Sequence, residues 1–189
     1  MGVQVRIVLY APGEPVAAEA ARAAFGRVAA LEDVMSDYRP ASELMRLSAQ
    51  FSDPSGGPPV PVSDDLFAVL TQAQRLARIS EGAFDVTVGP HVKLWREARR
   101  TGRLPPRNVL KAAAKQVGWR HVRLDSVRQT VQLAIPGMQL DLGGIAKGYA
   151  ADEAIATLTH HGIDQALVEI GGDIVVSGPP PGQTGWRIR

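Results

Sequence analysis

At 189 residues and 20.2 kDa the chain has room for one domain, two at most, and for a sizeable buried core. Its content of 45% apolar and 21% charged residues excludes disordered, collagenous and coiled-coil chains, the absence of cysteine excludes disulfides, thiolate metal sites and thiol catalysis, and no run approaches the ~18 apolar residues of a membrane-spanning helix. The net charge of +2 is unevenly spread: ten basic residues between His91 and Arg123 oppose the single acid Glu97, a stretch of +9, while residues 1–90 carry −4 and residues 124–189 carry −3.

In chain order, β-branched content and alternation predict a strand over Gln4–Leu9 and a turn at Ala11-Pro12-Gly13. Met1–Leu9 lacks the basic start, apolar block and small-residue cleavage site of an export signal. A helix follows from about Pro15 to Met35, with Val28, Leu31 and Met35 on one stripe. Phe51–Pro61, rich in Ser, Gly and Pro, reads as a surface loop. Ser63 is a good N-cap for a helix whose apolar positions are Leu66, Val69, Leu70, Ala73, Leu76 and Ala77, with Gly82 placed to stop it. A third helix is expected over Asn108–Val117, ending at Gly118. The period then changes to two: His121–Leu124 and Thr130–Ile135 read as a hairpin, and Pro136-Gly137 turns into an extended Met138–Leu142. A fourth helix is expected over Ile145–His160, stopped by Gly162, then strands at Ala166–Ile170 and Ile174–Ser177 around Gly171-Gly172. Gly178–Gly182 reads as a Pro-rich turn, and Gly185–Arg189 as the start of another strand. This order favours an α+β fold, a single domain over 1–189, with largely antiparallel sheets flanked by helices.

Three segments could carry chemistry. Asp141-Leu142-Gly143-Gly144-Ile145-Ala146-Lys147-Gly148 puts an acid at a strand end, paired glycines at the junction and a lysine in the first turn of a helix. A cation at that positive end is unfavourable by a few tenths of a kcal/mol to about one, and a bound anion would reverse the sign. By spacing alone this is first an ordinary strand-to-helix junction with a solvated lysine and second a pyrophosphate seat, and it is neither a Walker A loop nor a dinucleotide fingerprint. Ser36-Asp37-Tyr38-Arg39-Pro40 with Ser42-Glu43 fits a turn and N-cap, or a tyrosine placed to stack on a planar ring. In Gly82-Ala83-Phe84-Asp85-Val86-Thr87-Val88-Gly89-Pro90, Asp85 and Thr87 share a face if the segment is extended, or Asp85 caps the turn after the helix. The four histidines form no metal-binding pair at helical spacing, and no nucleophile elbow is present. Gly171-Gly172-Asp173 fits a tight turn. The basic stretch contains Trp95 and Trp119 but no nucleic-acid-binding module, so a solvated surface and no nucleic-acid partner are expected.

Taken in order, Met1-Gly2, Ser36-x-Tyr38 with Ser42-Glu43-Leu44, Gly82-x-Phe84-Asp85-x-Thr87-x-Gly89-Pro90 with Trp95, Asp141-Leu142-Gly143-Gly144-Ile145-Ala146-Lys147-Gly148-Tyr149, and Gly171-Gly172-Asp173 resemble the FAD:protein FMN transferase family, the ApbE-like proteins. The resemblance implies a magnesium-dependent enzyme that splits FAD and moves FMN onto a Ser or Thr of an acceptor protein as a phosphoester, releasing AMP. It implies FAD contacts at Met1, Tyr38, Ala83, Phe84, Asp85, Asp141 and Lys147, and a magnesium ligand from the backbone oxygen of Gly144. It also implies a chain truncated at its C-terminus, lacking the part of the family fold that carries an active-site histidine and an Asp-x-x-x-Thr metal motif. A non-catalytic FAD-binding protein and an FAD pyrophosphatase are the alternative readings. By resemblance the protein belongs to the bacterial periplasm or inner membrane; the chain as given, without a signal, suits the cytoplasm too.

Overall fold

The fold is described from a computed structural model, over residues 2–53 and 57–188. It is α+β, with two antiparallel three-stranded sheets, and the chain divides into two compact units. One comprises residues 1–33 and 145–189, the other residues 34–144.

The first unit is built on strands β1 (Val5–Leu9), β5 (Ala166–Ile170) and β6 (Asp173–Val176), in the order β1-β5-β6. Both pairings are antiparallel, with Val5 opposite Ile170 and Leu167 opposite Val176. The central strand buries Ala166, Leu167, Val168 and Ile170, as a strand paired along both edges and covered on its faces must. Helix α6 (Ala146–His160) packs on β5 and β6 through Ala150, Ala154 and Leu158, small residues that let helix and sheet approach closely. Helix α1 (Glu14–Met35) buries Ala20, Ala24, Val28 and Leu31, and its Arg27 meets Glu153 of α6 at 2.6 Å. The Gly171-Gly172 turn between β5 and β6 has φ +54° and +96°, positive at both central positions as a tight two-residue hairpin requires.

The second unit holds helices α2 (Glu43–Gln50), α3 (Asp64–Ile79), α4 (Gly89–Thr101) and α5 (Arg107–Ala114), with strands β2 (Val60–Pro61), β3 (Val122–Asp125) and β4 (Thr130–Leu133) in the order β2-β4-β3. Its core gathers Leu44, Leu47, Phe51, Leu66, Leu70, Val131, Leu133, Met138 and Leu142, all essentially inaccessible. Ser63 caps α3 as expected, its hydroxyl accepting from the Leu66 N–H at 3.3 Å. Leu76 departs from the expected stripe and is exposed.

Several expectations are corrected. The loop foreseen over Phe51–Pro61 starts on a buried side chain, Phe51, and ends in β2, where Pro61 sits on a sheet edge that needs no N–H from it; residues 54–56 lie outside the described residues. The third helix is shorter, Arg107–Ala114, because the chain tightens into a 3-10 turn at Trp119–His121. Helix α4 has no counterpart among the sequence expectations: Pro90 stands in its first turn, and Gly102 closes it in the left-handed region at φ +69°. Met138–Leu142 forms no strand of its own and makes a single parallel bridge, Gln139 to Val88. Residues 185–188 are not a strand, and Arg189 lies outside the described residues. Among the described residues no helix is long and apolar enough to cross a membrane.

Candidate functional site

In the second unit the turn that follows α1 is fastened by serines. Ser42 caps α2 by accepting from the Met45 N–H at 3.2 Å, and its hydroxyl donates back to the Ser36 carbonyl at 2.5 Å. Ser42 N–H donates to the Arg39 carbonyl at 2.9 Å, and Arg39 N–H to the Ser36 hydroxyl at 3.3 Å. The result is a closed turn that presents Asp37 and Tyr38. The Tyr38 side chain is half exposed, as a stacking ring must be.

The Gly82–Gly89 block is a compact turn. Asp85 Oδ1 accepts from the Thr87 N–H at 2.8 Å and the Thr87 hydroxyl at 2.7 Å, while Oδ2 accepts from the Trp119 N–H at 3.0 Å. Thr87, fully buried, accepts from the Gly118 N–H at 2.7 Å. Of the two sequence readings of Asp85, the capping one describes these bonds. Ala83 is exposed, and Phe84 is half-buried with its N–H on the Ser80 hydroxyl at 3.0 Å. The Phe84 ring reaches Gly144 so closely that a Cβ there would lie 3.2 Å from it.

This block carries the Asp141 segment. The Asp141 N–H donates to the Val86 carbonyl at 2.8 Å, one step from the Val88–Gln139 bridge. Gly89 has to be glycine, because a Cβ would stand 2.5 Å from the Gln139 carbonyl oxygen. Asp141 Oδ1 accepts from the Gly143 N–H at 2.9 Å and shapes the turn toward Gly144. Its other oxygen meets the Arg96 guanidinium of α4 at 3.2 Å, and the same Nη2 lies 2.5 Å from Asp37 Oδ2. Burial pushes the Asp141 carboxyl above its ordinary range; the Gly143 N–H opposes that, the neighbouring Asp37 carboxylate adds to it, and Arg96 opposes it.

The three residues line one wall of a cavity of about 800 Å³ within the second unit, whose apolar lining includes Met45, Val92 and Leu140. That volume suits a small organic ligand. Of the described residues expected to contact FAD, Asp141 borders this cavity, and Tyr38, Ala83, Phe84 and Asp85 are not among its lining residues. Asp37 and Arg96 were not foreseen as site residues. The signal for Asp37 lay in its place beside Tyr38, whereas nothing in the spacing of Arg96 tied it to an acid in a distant segment.

In the first unit, Lys147 lies in the first turn of α6, where Ile145 offers no side-chain cap and no acid complements the dipole. Its ammonium donates to the Gly171 carbonyl at 3.2 Å and pairs with Asp173 Oδ2 at 3.2 Å. The Gly171 N–H in turn donates to the Gln4 carbonyl at 3.1 Å, so the glycine turn is anchored on β1. Asp173 thus supplies the counter-charge that the helix start lacks, and Lys147, about one quarter exposed, is held in place without being buried. Met1 lies outside the described residues.

Magnesium takes oxygen ligands in near-octahedral geometry, usually with one or two carboxylates. Gly144 offers a backbone carbonyl, but among the described residues no group of three or more His, Cys, Asp or Glu comes together, and Asp37 and Asp141 are engaged by Arg96. The described residues do not fit a magnesium ion held by this chain's side chains.

Comparison with known proteins places this architecture. The FAD:protein FMN transferase of Treponema pallidum is 41% identical over 152 residues, which is 78% of this chain and 41% of that protein. The FAD:protein FMN transferase of Vibrio cholerae is 37% identical over 161 residues, 84% of this chain and 46% of that protein. The solved flavin transferase ApbE from Vibrio cholerae superposes with a TM-score of 0.84 at 34% identity, covering 100% of this chain and 60% of that one. The ApbE protein of Thermotoga maritima gives 0.83 at 28% identity, covering 96% and 58%. The chain spans about half the length of the curated relatives it matches. The sequence model of the ApbE family matches residues 1–189, and the chain belongs to that family.

Proposed function

We propose that this chain acts in FAD:protein FMN transfer. The acceptor's Ser or Thr hydroxyl oxygen attacks the FMN-side phosphorus of FAD, the bond from that phosphorus to the bridging oxygen breaks, AMP leaves with that oxygen, and the hydroxyl proton is given up as the phosphoester forms. The observation that carries the reading is Lys147: an ammonium in the first turn of an uncapped helix, steadied by Gly171 and Asp173 and still partly open to solvent. Free N–H groups at a helix start and a fixed cation are what a pyrophosphate needs. Tyr38 supplies a half-exposed ring for stacking, and Asp141 a carboxylate that can accept from nucleotide hydroxyl or amino groups. The proposed acceptor is a protein presenting Ser or Thr, and the proposed site of action is the bacterial periplasm or inner membrane, with the cytoplasm as the alternative.

The deciding experiment adds FAD, with and without Mg²⁺, and follows AMP release and covalent flavin on a Ser/Thr-bearing acceptor. AMP with labelled acceptor supports transfer; AMP alone identifies a pyrophosphatase; saturable binding without AMP identifies a carrier. A requirement for Mg²⁺ would show that the ion enters with the nucleotide phosphates or through ligands beyond those described. Lys147→Ala should weaken FAD binding by about 1.5 to 3 kcal/mol, the worth of a charge-assisted contact. An unchanged dissociation constant removes Lys147 from the site.

A further inference from the structure

Two carboxylates of the second unit converge on one guanidinium. Asp37 and Asp141 keep 16% and 12% of their side-chain surface, so neither is well solvated, and each is within an ion-pair distance of the same Arg96 nitrogen, at 2.5 and 3.2 Å. Arg96 itself is 55% exposed, so water sees its outer face while its inner face serves the acids. We propose that Arg96 is a positioning residue: it clamps Asp37 and Asp141 together and so keeps the Asp141 carboxylate in place beside the cavity, with its Oδ1 on the Gly143 N–H.

Two like charges brought close at low solvation repel, and an intervening cation offsets that repulsion. The groups acting on Asp141 are Asp37 from the turn before α2, Arg96 from α4 and the Gly143 N–H from its own segment. The other charged groups lining the cavity are Lys93, Glu97 and Arg100, all on α4, and Glu97 and Arg100 satisfy each other at 2.5 Å. Among the described residues Arg96 is the cation that contacts both acids. Without it Asp141 takes up a proton more readily, loses its attraction to donors on a ligand, and swings away from Asp37. The clamp stands on geometry alone; its consequence for FAD rests on the function proposed above.

The test has two arms. In the chain without ligand, the carboxyl carbon of Asp141 is titrated by NMR. In Arg96→Gln its midpoint should move up from the wild-type value, in Arg96→Lys stay near it, and in the double variant Arg96→Gln, Asp37→Asn fall back, because removing the second acid removes the need for the clamp. A residue with a merely structural role would show no such rescue. A midpoint unmoved in Arg96→Gln, or not lowered by adding Asp37→Asn, overturns the proposal. In the second arm FAD affinity is measured at pH 6 and pH 8: Arg96→Gln should lose roughly tenfold at pH 6 and less at pH 8, with recovery in the double variant, as expected for coupled neighbours. An FAD affinity unaffected by Arg96→Gln at both values, against a wild type that binds, removes Arg96 from ligand positioning. A wild type that binds no FAD refutes the flavin reading, while the first arm still decides the clamp.

Discussion

Asp85 uses both oxygens on three donors, two from Thr87 and one from the Trp119 backbone, and so ties the turn after α3 to the segment before β3. Hydrogen bonds to a charged acceptor are worth roughly 1.5–3 kcal/mol each, and they do not add in full. Asp85→Ala should therefore cost about 3 kcal/mol in urea unfolding, and Asp85→Asn should recover little, because its amide N–H₂ would face a donor. A loss below about 1 kcal/mol in Asp85→Ala would show these bonds to be dispensable. Asp141 behaves in the opposite sense. Burial first, and then Asp37, hold its carboxyl above its ordinary range. The ionised form is thus disfavoured by the fold, and the stability linked to this group is present at low pH and lost as pH rises through its folded pKa. Asp141→Asn keeps an acceptor for the Gly143 N–H without the charge, so its melting temperature should equal or exceed wild type at pH 7.5. The difference should close as pH falls through the raised folded pKa of Asp141, and be gone below the usual carboxylate range, where the group is protonated in both folded and unfolded chains. A lower melting temperature at pH 7.5, with the gap narrowing on acidification, would reverse the assignment.

The elements that position these residues differ in how plainly the sequence announces them. Gly89 is both the first residue of α4 and the point where Val88 bridges Gln139. Since an added Cβ would meet backbone atoms at 2.5 and 2.8 Å, no side-chain rotation relieves the clash. Gly89→Ala should destabilise the fold by about 3 kcal/mol, near the upper range for overpacking, and displace Asp141 along with Gln139. The checks are a shifted denaturation midpoint and, in proton–nitrogen spectra, perturbed signals at 139–143; a variant as stable as wild type would mean that the two segments are not so closely apposed. Helix α3 could be read directly because cap, period and stop signal agree there, α6 because Gly162 stops it after the glycine junction that opens it, and the β3–β4 hairpin because alternation flanks a polar turn. Helix α4 escaped reading because its face is mostly charged: Pro90 is its buried residue, and a period carried by arginines points to solvent. Met138–Leu142 alternated as a strand does, yet strand formation depends on a partner, and the chain supplies a single bridge. The Lys147 junction was legible as an anomaly, a cation at a helix start, although its pairing with Asp173 required the fold. The Asp37–Arg96–Asp141 cluster was not legible, since three distant segments meet there and none carries a spacing that records the others.

At the scale of the whole molecule, the basic excess between residues 91 and 123 is partly consumed within the second unit. Arg96 serves two acids, Arg100 is paired with Glu97, and Arg120 lies over the Trp119 ring at 4.4 Å. What remains on α4, α5 and the residues after them is a set of exposed basic side chains, among them Arg103, Lys111 and Arg123. Two ligands should therefore respond differently to salt. A duplex held by 6–10 phosphate contacts would lose roughly 10³–10⁵ in affinity between 50 and 200 mM salt, because binding releases condensed counterions. FAD has no such atmosphere, and its pyrophosphate would sit beside one fixed ammonium and the helix amides, so screening over the ~10 Å Debye length at 0.1 M should change its affinity by no more than about threefold. Titrating FAD and a duplex DNA across that range separates the two modes. Parallel losses for both would assign flavin binding to the basic surface between residues 91 and 123, whereas a nearly flat FAD curve beside a steep DNA curve is the outcome expected if Lys147 is the anchor.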